Sequence, residues 1–287
     1  MIDLHSHTHE SDGTFSSAQL VAEARRVGVR TLAITDHDTF RGYDQARAYA
    51  KQASLDLICG IELSTKLHRQ SVHLLGYFFD QSRLPEFRLW LLTLQASRRE
   101  RNVRLVERLR SLGFDITLNE VEARGRGMTG RPHFARLLME KGYVSSMQQA
   151  FDEYLTESGK AYVERMEPDF AEGVRRIREA GGLTSLAHPV RLKEMFPAML
   201  PQMRNAGLDA LEAYHSDHSL DDSELYLTLA GRHGMLVTGG SDFHGANKPG
   251  IELATGRNGN VCVPEGVLTA LRKASPSFHT ASGADQT

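Results

Sequence analysis

Up to about residue 80, short apolar runs alternate with amphipathic ones. "IDLHSH" reads as a strand, and "SAQLVAEARRVG" (17–28) as an amphipathic helix with Ser16 or Ser17 as N-cap and Gly28 as its stop. "TLAITD" is a second strand, "YDQARAYAKQA" a second helix, "LDLICGIELS" a third strand and "SVHLLGYFF" another. The rhythm then breaks. Residues 84–160 hold no strand pattern: the long run "PEFRLWLLTLQASRRERNVRLVERLRSLG" is helical, as are 118–124, "RPHFARLLMEKG" and "SMQQAFDEYL". From about 168 the alternation resumes with helix 169–180, strand "LTSLAH", helix 195–206, strand "DALEAYH", helix 223–233 and strand "LVTGGSD". Strands alternating with helices predict an α/β fold built on a mostly parallel sheet or barrel. The expected division is a discontinuous barrel of residues 1–82 and 165–287, with a helical insertion over 83–164. A polar tail after Ser275 reads as disordered.

Composition changes this picture little. A chain of 287 residues, 40% apolar and 24% charged, is ample for a buried core. No run of 18 apolar residues predicts a membrane span, and no basic start with an apolar run predicts a secretory leader. Cys59 and Cys262, far apart in apolar runs, read as buried thiols of a cytoplasmic protein. Charge is more informative. Residues 86–141 carry eleven arginines and one lysine against seven acids, a net of +5, which leaves −7 on the rest of the chain. A basic insertion beside an acidic barrel suggests a lid over an anionic substrate. The plainer alternative is a solvated face with pairs such as Glu100 to Arg104. A net of +5 is too small a basic surface for long nucleic acid.

The chemistry sits at the predicted strand ends. His5 and His7 are two apart and project to one side of a strand; Asp12 follows in the loop. "TDHDT" supplies Asp36, His37 and Asp38 after the second strand. "GIELS" puts Glu62 in an apolar setting, where a carboxylate needs a partner or a cation. His73 lies within a strand, "AHP" ends one at His188, "AYH" ends one at His215, and "SDFH" brings Asp242 and His244. In an α/β barrel such ends converge. One such histidine is ordinarily structural; a His, Asp or Glu at nearly every strand end points to a multinuclear metal site. Imidazole and carboxylate without thiolate suit manganese, zinc or iron. Nine ligands, His5, His7, Asp12, His37, Glu62, His73, His188, Asp242 and His244, imply two or three ions. Glu62 has two oxygens with which to bridge a pair, and such clusters activate water and clamp phosphate.

The ordered set His-x-His, Asp, "TDH", "GxE", a strand His, "HP" and "SDxH" resembles the polymerase and histidinol phosphatase (PHP) family over residues 1–80 and 165–250. The resemblance implies a distorted (β/α)7 barrel with a trinuclear centre. His5, His7, Glu62 and Asp242 would surround one ion, Glu62, His73 and His188 a second, and Asp12, His37 and His244 a third; His9 has no slot. The segment "TGRPHFARLLMEKGYVSSMQQAFDEYL…GKAYV" resembles the branch of 3′,5′-nucleoside bisphosphate phosphatases and 5′→3′ exoribonucleases of short RNA. That implies removal of the 3′-phosphate of 3′-phosphoadenosine 5′-phosphate (pAp) by a metal-bridged hydroxide, with short oligoribonucleotides as further substrates. Glu62 and Asp242 would hold the catalytic ions, manganese foremost. His215 is either the general acid or a hydrogen-bond donor to a phosphate oxygen.

Arg131, at the start of a helix, could meet the second phosphate with its guanidinium and the helix amides, and Lys160 could do the same. Phe134 or Tyr162 could stack on the base, whereas Trp90 lies on an apolar stripe and reads as core. Three rivals stay open: another PHP phosphatase of the histidinol-phosphate type, an amidohydrolase acting on C–N bonds, and a metal-binding regulatory module without turnover. "SDFH" on the last strand and Glu62 in the bridging place favour phosphoester chemistry over the amidohydrolase, and a complete ligand set disfavours the module.

Overall fold

A computed structural model of the protein describes residues 1–125 and 128–276; the expected polar tail lies outside these from residue 277 onward. The main strands are β1 (Ile2–Asp3), β2 (Thr31–Ile34), β3 (Asp56–Leu67), β4 (Gln70–Phe78), β5 (Leu183–Leu186), β6 (Ala210–His215) and β7 (Leu236–Gly240). They form one sheet in sequence order, and a separate small hairpin pairs β8 (Ile251–Glu252) with β9 (Gly256–Arg257). β2 and β5 are buried at every residue, as strands covered on both faces must be. The sheet curls until its ends meet. Leu4 N–H donates to Gly239 O at 3.1 Å, His7 N–H to Phe243 O at 2.9 Å, and Asp242 N–H to His5 O at 2.8 Å. The result is a nearly closed, barrel-like seven-stranded sheet.

All neighbours are parallel except β4, which runs antiparallel to both β3 and β5. The cause is local. β3 and β4 join through His68 and Arg69, both in the left-handed region (φ 49° and 67°), leaving no room for a crossover helix. β3 therefore does not end at Ser64; it runs on to Leu67, and Glu62 lies inside it, with Ser64 opposite His73. Reversal of β4 places His73, near the start of its strand, at the same end of the barrel as the carboxyl ends of the others.

Helices α1 (Ser17–Arg26), α2 (Arg41–Gln52), α7 (Phe170–Glu179), α8 (Phe196–Asn205) and α9 (Leu220–Arg232) coat the sheet through residues such as Leu20, Phe40, Phe170 and Met203. Inside, Ile2, Leu4, Ala33, Ile58, Leu75 and Tyr77 form a second core, on which α10 (Glu265–Ala274) sets Leu268 and Leu271. Residues 84–155 hold α3 (Leu84–Ser111), α4 (Leu118–Glu122), α5 (Arg131–Glu140), α6 (Met147–Ala150) and one wider turn at Phe151–Leu155. The first half of α3 packs Leu84, Phe87 and Leu91 into the barrel core, with Trp90 against it. Its second half packs Leu105, Val106 and Leu109 against Phe134, Leu137 and Leu138 in a separate helical core. Phe134 is thus fully buried there, out of reach of a nucleobase. Cys59 is buried as expected; Cys262 is exposed, because it falls in the open segment before α10 rather than in a strand.

One buried carboxylate fastens the two cores together. Asp38, after β2, accepts from Ser64 N–H at 2.8 Å and from Arg165 at 3.2 Å, and pairs with Arg98 of α3. Burial alone would raise its carboxyl pKa, but the two guanidiniums outweigh it and hold the group well below the usual carboxylate range. Asp38→Asn should lower stability by about 3 kcal/mol, since it leaves two arginines without their shared buried anion; denaturant unfolding checks this. Closure of the barrel makes a second demand. A Cβ on Gly240 would lie 2.3 Å from the backbone nitrogen of His5. Gly240→Ala should therefore destabilise the fold by about 2 kcal/mol or more. Gly76→Ala, whose Cβ would meet only side chains at 3.1 Å and beyond, should be milder in the same titration.

Candidate metal centre

The sequence crowds His5 and His7 into the residues just after β1, and the barrel closes around them. Both are fully buried. Glu62 stands at the centre, 1% exposed, its two oxygens facing different imidazoles. Oε1 lies 2.7 Å from His73 Nδ1 and 2.9 Å from His188 Nε2. Oε2 lies 3.0 Å from His7 Nε2, 3.2 Å from His5 Nε2 and 3.4 Å from His37 Nδ1. Asp242 Oδ1 comes within 3.4 Å of His7 and of His244, and Asp12 Oδ1 within 3.1 Å of His244 Nε2. All nine side chains expected at the site meet at one end of the barrel. His9 stays outside, against Glu10.

Two compact ligand sets emerge. In His5, His7, Glu62 and Asp242, and again in His7, Asp12, His37 and His244, one donor atom per residue lies within 4.8 Å of every other. His37, Glu62 and His73 make a third such group, with His188 against the same Glu62 oxygen. The tautomers suit cation binding. His244 Nδ1 must donate to the carbonyl of Asp242 (2.8 Å), and His5 Nδ1 meets Glu212 (2.8 Å), which turns each Nε2 towards the cluster. His7 Nε2, Asp12 Oδ1 and His37 Nδ1 are buried without a well-aligned hydrogen bond among the described residues. Orphaned donor atoms aimed at one another are costly in a dry interior unless a cation joins them. The donor set thus fits divalent cations.

Electrostatics agrees. Burial would raise the carboxyl of Glu62, but His37, His73 and His5 outweigh it and hold it well below its ordinary value. Burial likewise opposes ionisation of Asp12 and is overcome by His244 and His37. Burial disfavours a charged His7, yet Asp242 and Glu62 raise it to about 9; His37, where burial dominates, falls to about 3.

Glu212, which the sequence pattern does not single out, is fully buried and joins His5 and His215 in a further group. Strict strand alternation puts positions 212 and 215 on opposite faces. β6 carries an irregularity, however: Glu212 pairs with Thr238 and Tyr214 already with Gly239, so Ala213 is an extra residue and both side chains turn inward. Gly239 permits the bulge, since a Cβ there would sit 2.5 Å from that of Tyr214. His215 Nδ1 accepts from the Asp217 N–H at 3.0 Å, and its Nε2 reaches Asp242 Oδ2 at 3.2 Å. Asp36 serves the loop, holding Thr8 and Ser11.

Beside the cluster lies a cleft bounded by Asp12, His37 and His73 on one side and by Arg98, Arg101, Arg131 and Arg165 on the other. Arg98 and Arg165 share Asp38, and Arg165 also pairs with Glu167 at 2.5 Å, while Arg101 is 3% exposed and its Nε donates to the side-chain oxygen of Asn102 at 3.0 Å. Burial first, then Arg98, Arg131 and Arg165, pull the pKa of Arg101 well below its usual value. Arg131 opens α5, its guanidinium 5.4 Å from the ring of Tyr162. Lys160 is elsewhere: it is exposed, over the ring of Tyr154, because the chain turns away at Gly159.

Known proteins resemble this chain in sequence and fold. A family model described as PHP domain matches residues 3–167. The chain belongs to the PHP domain family. It is 32% identical over 245 residues to a 5′→3′ exoribonuclease of Haemophilus influenzae, covering 84% of this chain and 89% of that one. It is 31% identical over 259 residues to a 3′,5′-nucleoside bisphosphate phosphatase of Chromobacterium violaceum, covering 88% and 90%. A solved structure from Bifidobacterium adolescentis, assigned as a metal-dependent phosphoesterase, superposes with a TM-score of 0.83 at 33% identity over 94% of both chains. This PHP protein is accordingly a metal-dependent phosphoesterase, and no helix among its described residues is long and apolar enough to cross a membrane.

Loading the centre should release protons. After chelation His7 stays protonated below about pH 9, so a cation must displace that proton, and apparent affinity should rise as pH climbs from 7 towards 9. Calorimetry in two buffers of different ionisation enthalpy would count the protons; a count of zero contradicts this electrostatic picture. Glu62→Gln should cut bound metal by at least one equivalent, read by elemental analysis.

Proposed function

We propose that this PHP protein removes the 3′-phosphate of 3′,5′-nucleoside bisphosphates, pAp being the model substrate. The observation that carries the reading is the four-arginine cleft alongside the ligand cluster. One phosphate at the cluster leaves a second within reach of four guanidiniums that share two carboxylates, Asp38 and Glu167, and Arg101, which pairs with no carboxylate among the described residues, would gain an anion. The helical segment that supplies Arg98, Arg101 and Arg131 then acts as the substrate lid. The α5 amides beside Arg131 add to the attraction.

Two or three divalent ions, with manganese as the first choice, would supply Lewis acidity towards the phosphoryl oxygens and a water of lowered pKa. Glu62 would bridge two of them; His5, His7, Asp12, His37, His73, His188, Asp242 and His244 complete the set. Glu212 orients His5. His215 serves the leaving group as a hydrogen-bond donor: with Nδ1 accepting from the Asp217 N–H, its proton lies on Nε2, towards the cluster, where it can stabilise the departing 3′-oxygen as negative charge develops there. A second reading rests on the same cleft. A short RNA with a 5′-phosphate offers the arginines the same group, and the Haemophilus relative carries that activity in its name.

Phosphate release from pAp should exceed that from AMP or 3′-AMP by at least about tenfold in kcat/KM, because the second phosphate adds charge-assisted hydrogen bonds. Histidinol phosphate and a 5′-phosphorylated trinucleotide belong in the same assay; preference for histidinol phosphate would end the bisphosphate reading. His215→Asn should lower kcat on the order of 10²-fold with pAp. With 4-nitrophenyl phosphate, whose leaving group spreads its own charge, it should change little; an equal loss on both esters would remove His215 from this role at the leaving oxygen.

A further inference from the structure

Asp242 divides its two oxygens between two worlds. Oδ1 faces the imidazoles of His5, His7 and His244. Oδ2 collects His215 Nε2 at 3.2 Å, Arg191 Nη2 at 3.0 Å and the Lys248 ammonium. Three donors on one oxygen outnumber its two lone-pair directions. Arg191 and Lys248 come from the connections after β5 and β7 and His215 is the last residue of β6, so three parts of the barrel converge on a single point. The Asp242 side chain is 2% exposed, whereas that of Arg191 is 41% and that of Lys248 28% exposed: the cations stand between the buried carboxylate and the mouth.

Both cations are held in place. Arg191 lies in the turn Pro189–Met195, bracketed by left-handed residues His188 (φ 30°) and Lys193 (φ 51°). The same turn is anchored where Glu212 Oε2 accepts from the His188 N–H at 2.6 Å. Arg191 also pairs with Asp217 at 2.9 Å. Lys248 follows the turn Gly245–Asn247, tied to the Asp12 loop by Asn247 Nδ2 donating to Asp12 O at 2.6 Å. Strained or clamped backbone beside charged tips marks a prearranged group rather than a surface chain.

We propose that Arg191 and Lys248, which lie outside the arginine cleft, are catalytic residues that contact the non-bridging oxygens of the scissile phosphoryl group. This rests on the phosphoester reading of the centre but not on the bisphosphate. The cleft arginines read the second phosphate, and this pair reads the phosphoryl group that every substrate shares. A dianion entering at the mouth takes up the donors that Oδ2 holds in excess. The pair then stabilises charge as the P–O bond to the leaving oxygen breaks.

The test uses Arg191→Met, Lys248→Met and Arg191→Lys in the manganese-loaded protein, with metal content, orthovanadate affinity and turnover of pAp and 4-nitrophenyl phosphate measured together. Expected are unchanged metal content, roughly tenfold weaker vanadate binding and kcat lower on the order of 10²-fold on both esters, with partial recovery in Arg191→Lys. Full metal with vanadate affinity and kcat near parental values in both methionine variants overturns the proposal. Loss of bound metal in step with activity also overturns it, since the pair would then only hold Asp242. If the parent hydrolyses 4-nitrophenyl phosphate but not pAp, the bisphosphate reading fails and the comparison on the generic ester still decides the role of the pair.

Discussion

Everything at the open end of this barrel follows from the difficulty of keeping several carboxylates in a sealed space. Glu62, Glu212 and Asp242 are each no more than 2% exposed, and Asp12 only slightly more. None could stay ionised there unaided. Imidazoles supply part of the compensation and polyvalent cations the rest. The same need explains the backbone: Asp38, His188 and Asp242 all adopt left-handed conformations at strand ends, and the surrounding sheet holds them there.

The convergence of the nine candidate ligands was legible in the sequence because it depends on simple rules. Barrel strands deliver their last residues to one end, and His5 and His7 share a face through a period of two. Where the chain breaks a rule, the reading lost track. Glu212 was hidden by the extra residue Ala213, which inverts the alternation without leaving a compositional mark. The antiparallel course of β4 was foreshadowed only by the absence of a helical pattern between two strand-like runs.

The arginine cleft was legible in charge but not in detail. A net of +5 over residues 86–141 suggested an anionic ligand beside the plainer reading of a solvated face, and Arg131 could be picked out by its place before a helix. Arg98 and Arg101 looked like members of a solvated helical face. Only the packing of α3 across both cores shows them turned inward, with Arg165 approaching from the returning chain. Lys160 and Phe134 are the complementary cases, one carried away by a turn and the other needed for the helical core.

The seam where β1 meets β7 has a consequence for assembly. β1 is two residues long, and the closing hydrogen bonds join residues 4–7 to 239–243, so the barrel's weakest join is also where both ends of the ligand set meet. Drawing these segments together closes a loop of more than two hundred residues, an entropic demand that grows only slowly with length. A cation shared by His5, His7 and Asp242 would be a rivet across that join, and the nascent chain could not offer that complete grip until its last barrel strand had emerged.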